Sequence, residues 1–116
     1  MDIVGIETPD YVKGKSLFSL LKGKCSPNNH KPFVRSEYFD ALNYPNHSKA
    51  TMYRDKKHKI IVYHGQNFGE LYDLEKDPDE FFNLWNENSF EKLKQELILK
   101  NFDASIEAFD MGSPPI

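Results

Sequence analysis

The sequence predicts an α+β fold in which a small four-stranded antiparallel sheet packs against a long C-terminal helix. The first observation is a series of short segments between residues 33 and 73 that are rich in β-branched and aromatic residues. The second is a longer segment, from Ser89 to Phe109, in which apolar residues recur at helical spacing. A helix with an apolar face needs a surface to cover, and the sheet is the surface that this chain offers.

The strand segments are separated by turns of the kind that joins neighbouring strands. A polar turn, Asp55 to His58, lies between the second and third segments, and residues 65–69 supply a glycine-containing turn before the fourth. These three strands are therefore predicted to form an antiparallel meander. A loop over residues 40–48 separates the first strand from them. The predicted strands span residues 33–39, 50–54, 59–64 and 70–73.

The final helix is predicted to begin at Ser89, whose hydroxyl can cap its first turn. Its polar face is rich in lysine and glutamate, and the tail over residues 111–116 contains two prolines that cannot continue a helix. The apolar face is predicted to cover the sheet with Phe90, Leu93, Leu97, Ile98, Phe102, Ile106 and Phe109.

Composition limits the function classes. The 116 residues suit one domain, and 39% hydrophobic with 14% aromatic residues supply a core. A formal charge of −3 does not produce the positive field that nucleic acid or an anionic membrane requires. No stretch approaches the ~18 apolar residues of a membrane span, and no signal-peptide pattern opens the chain. The single Cys25 leaves the redox compartment open.

Residues 1–31 are predicted to be a link segment with a short docking helix, and residues 32–116 the α+β subdomain. The chain opens with an apolar run, Met1 to Ile6, as if a helix had been cut partway, so we expect it to be part of a longer protein. Ser16 is predicted to cap a helix over residues 17–21, which Gly23 ends. Residues 24–32 lack periodicity and are predicted to form a surface loop.

The best-defined stretch runs from Glu70 to Leu84. A short strand enters an acidic turn, and Pro78 ends the strand because proline has no amide proton to donate. Asp79 and Glu80 are predicted to start a short helix, where carboxylates face the positive end of the backbone dipole. The chain after this turn is predicted to pack four apolar side chains against the core, those of Phe81, Phe82, Leu84 and Trp85.

Several patterns of chemistry-bearing residues do not meet the requirements of the sites they suggest. Gly14-Lys15-Ser16 is similar to the end of a phosphate-binding loop, but Pro9 stands where that loop needs glycine. The alternating acids from Asp73 to Asp79 suggest a calcium loop, but Pro78 occupies the position of its glycine and Leu84 that of its glutamate. No metal-ligand spacing relates the histidines, which are His30, His47, His58 and His64.

The stretch from Glu70 to Leu84 resembles the E-L-Y-D-L-x-x-D-P-x-E-x-x-N-L signature near the C-terminus of sulfatases of the alkaline-phosphatase superfamily. Two further segments fit that family in the same order. Val4 to Ile6, with Gly14 to Leu17 and Leu21 to Gly23, is similar to the family's A-G-I...G-x-S-L...L-x-G link. Met52 to Ile61 is similar to its R...y-K-y-I hairpin. The resemblance covers nearly the whole chain and implies the C-terminal subdomain of a formylglycine-dependent (type I) sulfatase, or arylsulfatase.

The resemblance implies that the catalysis takes place elsewhere in the parent enzyme. Family members hydrolyse sulfate esters or sulfamates with a formylglycine and a calcium ion, both held by an N-terminal catalytic domain. The fragment is therefore expected to hold no cofactor, metal or catalytic residue, to be inactive alone, and to have that catalytic domain as its partner. Its parent is expected to be periplasmic or secreted and to act on a sulfated carbohydrate or an aryl sulfate. Cys25-Ser26-Pro27 starts like the formylglycine motif, but Asn29 replaces its arginine, so a loop is predicted there.

Two residues are predicted to contact substrate if this subdomain walls one side of the cleft. His47, in the loop before the second strand, and Arg54, beside the hairpin turn, could each bind a sulfate or carboxylate on a sugar. The alternative is that Arg54 pairs with an acid on a neighbouring strand and that His47 is merely exposed.

Two other function classes remain open at this stage. A freestanding carbohydrate-binding or interaction module would present Tyr11, Tyr44, Tyr53 and Phe68 as an exposed cluster. A complete small enzyme would need a nucleophile, a base and an orienting group, and spacing supplies no such set.

Overall fold

The computed structural model describes residues 1–41 and 47–110, and it has the predicted α+β architecture. The strands are β1 (Val34–Phe39), β2 (Lys49–Arg54), β3 (His58–Tyr63) and β4 (Phe68–Asp73). They form one antiparallel sheet in the order β1-β2-β3-β4, and the meander of β2, β3 and β4 is the one predicted from the turns. The helices are α1 (Phe18–Leu21) and α2 (Glu91–Phe109), and 3-10 turns lie at Asp2–Val4, Pro27–Asn29 and Asn88–Phe90.

The core lies between α2 and one face of the sheet. Tyr53, Ile60 and Leu71 stand opposite one another on adjacent strands, so their side chains point to the same face, where Leu97 and Ala104 of α2 cover them. Ile60, Leu71 and Leu97 are 0%, 0% and 1% exposed. Each such side chain contributes roughly 1.5–3 kcal/mol through the apolar area that it removes from water.

A polar network crosses this core between the helix and the sheet. The Nδ2 atom of Asn101 donates to the Oγ1 atom of Thr51 at 2.9 Å, and that hydroxyl lies 2.8 Å from the Nε2 atom of His64. Thr51 and Asn101 are both buried. Because a misplaced buried amide loses these partners, the network fixes the position of α2 over β2.

Helix α2 differs from the prediction in which of its residues face the sheet. The predicted apolar face includes Leu93 and Leu97, which do pack there, but Phe102, Ile106 and Phe109 point away and are 61%, 54% and 62% exposed. Two rows of apolar residues run along this helix, one facing the sheet and one facing away from it, and the predicted apolar face combines residues from both. The polar Asn101 lies in the buried row, where its Nδ2 group donates to Thr51, and its polarity hides that row from a hydrophobic pattern.

The start of α2 also differs. Ser89 was expected to cap the helix, but it lies within the 3-10 turn, and α2 begins at Glu91 without a side-chain cap. At the other end, the predicted tail over residues 111–116 lies outside the described residues.

The link segment has the predicted short helix. It begins one residue later than predicted, at Phe18, with Leu17 and not Ser16 at the N-cap position, although the Ser16 hydroxyl accepts a hydrogen bond from the Phe18 amide at 3.2 Å. Gly23 has the left-handed φ of 65° that suits a helix end. Leu17 and Leu21 are 58% and 78% exposed, so α1 does not pack into the core of the described residues. Its docking stays a prediction.

Candidate functional site

The turn that follows β4 contains no helix after Pro78, contrary to the prediction. The carboxylate of Asp77 accepts hydrogen bonds from the amides of Phe81 at 3.0 Å and Phe82 at 2.8 Å, and Glu80 has a left-handed φ of 59°. The aspartate side chain thus takes the amides that a helix would have left unpaired, and it closes a loop instead.

The apolar residues after this loop divide into two pairs. Leu84 and Trp85 pack against the core, as predicted. Phe81 and Phe82 were also expected there, but they are 78% and 71% exposed. Their exposure follows from the Asp77 loop, which turns both residues away from the sheet.

Asn83 joins this loop to the edge of the sheet. Its Oδ1 atom accepts from the amides of Leu71 and Trp85, both at 3.0 Å, and its Nδ2 atom donates to the carbonyl of Gly69 at 3.1 Å. The Leu84 amide also donates to the Leu71 carbonyl at 2.8 Å. The asparagine amide thereby pairs with backbone groups of β4 that would otherwise be left without partners at the sheet edge.

Glu70 lies at the centre of a hydrogen-bonded cluster on the sheet face opposite α2. The hydroxyls of Tyr63 and Tyr72 each donate to its carboxylate at 2.8 Å. Burial, followed by the hydrogen bond to Glu70, raises the pKa of Tyr72 to about 12, and the hydrogen bond to Glu70 raises the pKa of Tyr63. Both phenols are therefore protonated donors at neutral pH, and both carboxylate oxygens are engaged. This geometry suits a structural clamp rather than a general base.

The two residues predicted to contact substrate lie at opposite ends of β2. His47 is exposed, has a left-handed φ of 59° and lies before the strand begins, whereas Arg54 is exposed and ends the strand. Since a strand rises about 3.3 Å per residue, roughly 17 Å or more separates them. The structure therefore does not place them in one site. Residues 42–46 of the predicted loop beside His47 lie outside the described residues.

The alternative expected for Arg54, an ion pair with an acid on a neighbouring strand, is not found among residues 1–41 and 47–110. Its register neighbours are Val34 on β1 and Lys59 on β3. The contact of either His47 or Arg54 with substrate stays a prediction.

The aromatic residues that a carbohydrate-binding module would present are dispersed. Tyr53 is 7% exposed and stacks on Phe33 with ring centres 5.1 Å apart, and Phe68 contacts Tyr63 in a separate pair. Tyr11 is exposed in the link segment, and Tyr44 lies outside the described residues. The module interpretation is therefore not favoured.

Within the part of the chain that the structure describes, no group of three or more His, Cys, Asp or Glu side chains could hold a metal ion. Cys25 lies in the link segment, and its sulfur is 3.3 Å from the Ser19 hydroxyl. In the same described ranges, no helix has the length and apolar character needed to cross a membrane.

The chain was compared with protein families, curated proteins and solved structures. Residues 1–106 match the family described as N-sulphoglucosamine sulphohydrolase, C-terminal. The chain is 34% identical over 95 residues to the Delta 4,5-hexuronate-2-O-sulfatase of Bacteroides thetaiotaomicron, covering 82% of this chain and 19% of that protein. The chain thus spans about a fifth of the length of this curated relative.

Solved structures share the fold. A 2-O GAG sulfatase has a TM-score of 0.78 at 30% identity, with coverage of 94% of this chain and 23% of that chain. A phosphonate monoester hydrolase from Silicibacter pomeroyi has a TM-score of 0.75 at 19% identity, with coverage of 94% and 24%, which shows likeness of fold alone. The family match over residues 1–106, the curated relative and the shared fold lead to one conclusion: this chain belongs to the family of sulfatase C-terminal domains.

Proposed function

We propose that this chain packs on the catalytic domain of a sulfatase and forms one wall of its substrate cleft, without performing catalysis itself. The single observation that carries the proposal is the second apolar row of α2, which faces away from the sheet. In this proposal residues 1–31 link the catalytic domain to the subdomain formed by residues 32–116. The substrate class is a sulfated carbohydrate, the class named for the GAG sulfatase relative.

The second apolar row consists of residues at spacings of three, four and three. Its members are 60%, 61%, 54% and 62% exposed and are Leu99, Phe102, Ile106 and Phe109. Leu97 and Ala104, on nearly the opposite side of the same helix, are buried against the sheet. A helix that is apolar on two sides is typical of one buried between two layers, and a contiguous exposed apolar patch marks an interaction surface.

The occupant that fits this surface is the remainder of the parent enzyme. Relatives that contain this fold are about four to five times longer than the part of them that it covers, so they hold the second layer that α2 requires. In this proposal the parent's formylglycine and calcium lie in that remainder, as the resemblance to type I sulfatases implies, and Asn29 stands where the formylglycine motif would need arginine after Cys25.

Replacing Phe102 by aspartate tests the docking. Phe102→Asp is expected to leave the unfolding free energy of the purified chain within about 0.5 kcal/mol, since the residue is already exposed. The variant is expected to lose co-purification with a separately expressed catalytic domain, because docking would bury the new carboxylate in an apolar interface. Glu107→Lys reverses an exposed charge on another side of α2, away from the second apolar row, and is the control that should bind normally. Unimpaired association of Phe102→Asp would contradict the proposal.

His47 and Arg54 are proposed to contact anionic groups of the substrate at separate points along the cleft wall. Substituting both by alanine in the intact enzyme is expected to raise KM with little change in kcat, because uniform binding is lost while the chemistry is untouched. Steady-state kinetics on a sulfated oligosaccharide measure this split. An unchanged kcat/KM would remove both residues from the proposal.

A further inference from the structure

A basic pocket lies where the link segment meets the β2–β3 hairpin. Its volume is about 460 Å³, within the range of small-ligand sites. Lysines from three separate parts of the chain contribute to it, so its charge is assembled only by the fold. Its lining residues are Lys15, Asn29, His30, Lys31, Pro32, Asp55, Lys56 and Lys57.

The positive charge of this pocket is largely uncompensated. Four lysines against one aspartate leave a formal charge of +3, in a chain whose net charge is −3. The Nζ atom of Lys15 donates to the His30 carbonyl and that of Lys56 to the Asn29 side-chain oxygen, both of which are neutral acceptors. Lys57 lies 3.8 Å from Glu75, but both side chains are more than 60% exposed, so water screens the pair.

The one carboxylate in the pocket is engaged by the hairpin turn. The Oδ1 atom of Asp55 accepts the amides of Lys57 and His58, each at 2.8 Å. It also lies 4.0 Å from the Nδ1 atom of His58. This capping sets the direction in which Lys56 and Lys57 leave the turn, and it leaves the lysine ammonium groups available to another anion.

His30 brings unused hydrogen-bonding capacity to the pocket wall. Both of its ring nitrogens are buried, and neither has a hydrogen-bond partner among residues 1–41 and 47–110. A buried polar group without a partner calls for an acceptor or donor from outside the protein. An anionic oxygen seated among the lysines would supply an acceptor if the His30 ring turned one N–H toward the pocket.

We infer that this pocket is a subsite for a sulfate or carboxylate group of an acidic glycan, and this inference rests on the proposed function. The lysine ammonium groups would contact the anion as point charges, and the open volume of the pocket would leave room for the sugar that carries it. The subsite would hold a sulfate or carboxylate group other than the sulfate ester that is hydrolysed, since that ester is proposed to react in the catalytic domain.

Titration of the purified chain with a heparin-derived hexasaccharide tests the inference, with calorimetry for affinity and NMR for the His30 imidazole signals. Lys31→Ala with Lys56→Ala is expected to weaken binding roughly tenfold or more through loss of charge-assisted contacts. Lys76→Ala with Lys92→Ala removes the same charge from exposed positions outside the pocket and should change affinity less than about twofold. The single variant Lys31→Ala shows the effect without disturbing the Lys56 contact to Asn29.

Three further comparisons test the assignment of this pocket as a glycan subsite. Movement of the His30 signals on hexasaccharide addition supports direct occupation of the pocket, and unmoved signals overturn it. Equal weakening by the two lysine pairs overturns the subsite in favour of diffuse charge attraction. Inorganic sulfate binding as tightly as the hexasaccharide overturns the glycan assignment.

The docking proposal and the glycan subsite can fail separately. Phe102→Asp should bind the hexasaccharide normally, since it lies on α2 outside the pocket. If Lys31→Ala with Lys56→Ala blocks association with the catalytic domain while glycan binding is unchanged, the pocket is an interdomain contact and the glycan subsite is wrong.

Discussion

Replacing Leu97 by alanine is expected to destabilise the chain by about 2–5 kcal/mol, because the change removes a buried side chain and leaves a cavity. Leu97 is 1% exposed and packs with Ile60 and Leu71 at the centre of the core. In a domain of this size, that loss is a large fraction of the free energy of unfolding. Urea denaturation followed by circular dichroism measures the shift in the midpoint.

Leu99→Ala is the matched control for this prediction. It makes the same chemical change two residues along the same helix, but Leu99 is 60% exposed, so we expect a change within about 0.5 kcal/mol in the purified chain. In the intact enzyme the same substitution should cost more, because docking buries the row to which Leu99 belongs. Equal effects of the two substitutions in the purified chain would show that the orientation of α2 described above is wrong.

Replacing Gly69 by alanine is expected to displace the Trp85 ring and to cost about 1–3 kcal/mol of overpacking strain. A Cβ atom on Gly69 would lie 2.3 Å from the Cζ3 atom of Trp85, and two further ring atoms lie within 2.5 Å. Displacing Trp85 would also disturb its neighbours, since its ring packs against the core and its carbonyl accepts a hydrogen bond from the Lys94 ammonium at 3.0 Å. Trp85 is the one tryptophan in the sequence, so its fluorescence reports the displacement directly.

Gly14→Ala serves as the control, because nothing lies within 4 Å of a Cβ atom at that position. Its fluorescence and denaturation midpoint should match those of the unmodified chain. A double variant sharpens the result: Trp85→Leu should cost less in the Gly69→Ala background than alone, since in that background removing the ring also relieves the clash. Additive costs would mean that Gly69 and Trp85 are not in contact.

Three polar residues of the stretch that identifies the family stabilise the fold of this chain. Asp77 closes its loop, Asn83 joins that loop to β4, and Glu70 is held by two tyrosine hydroxyls. All three residues are engaged by backbone groups or by a neighbouring side chain. A sequence signature can therefore identify a family partly through residues that maintain the fold.

Local patterns in the sequence by themselves determined the four strands, their meander and the family. Alternation, turn chemistry and the spacing from Glu70 to Leu84 act over a few residues, so they can be read without the fold. The same local reasoning predicted a helix after Pro78 that the structure does not contain, because the Asp77 carboxylate accepts the Phe81 and Phe82 amides and closes a loop there.

The tertiary structure alone decided which row of α2 faces the sheet and which lysines share a pocket. Two apolar rows are equivalent on a helical wheel, and the choice between them depends on contacts such as that of Thr51, which is fifty residues before Asn101 in the chain and accepts a hydrogen bond from its Nδ2 group. Lys15, Lys31 and Lys56 are likewise far apart in sequence, and they meet only because the link segment lies against the β2–β3 hairpin. Periodicity shows which side of an element is apolar or polar, but contacts between segments that are far apart in sequence decide which surfaces pack together.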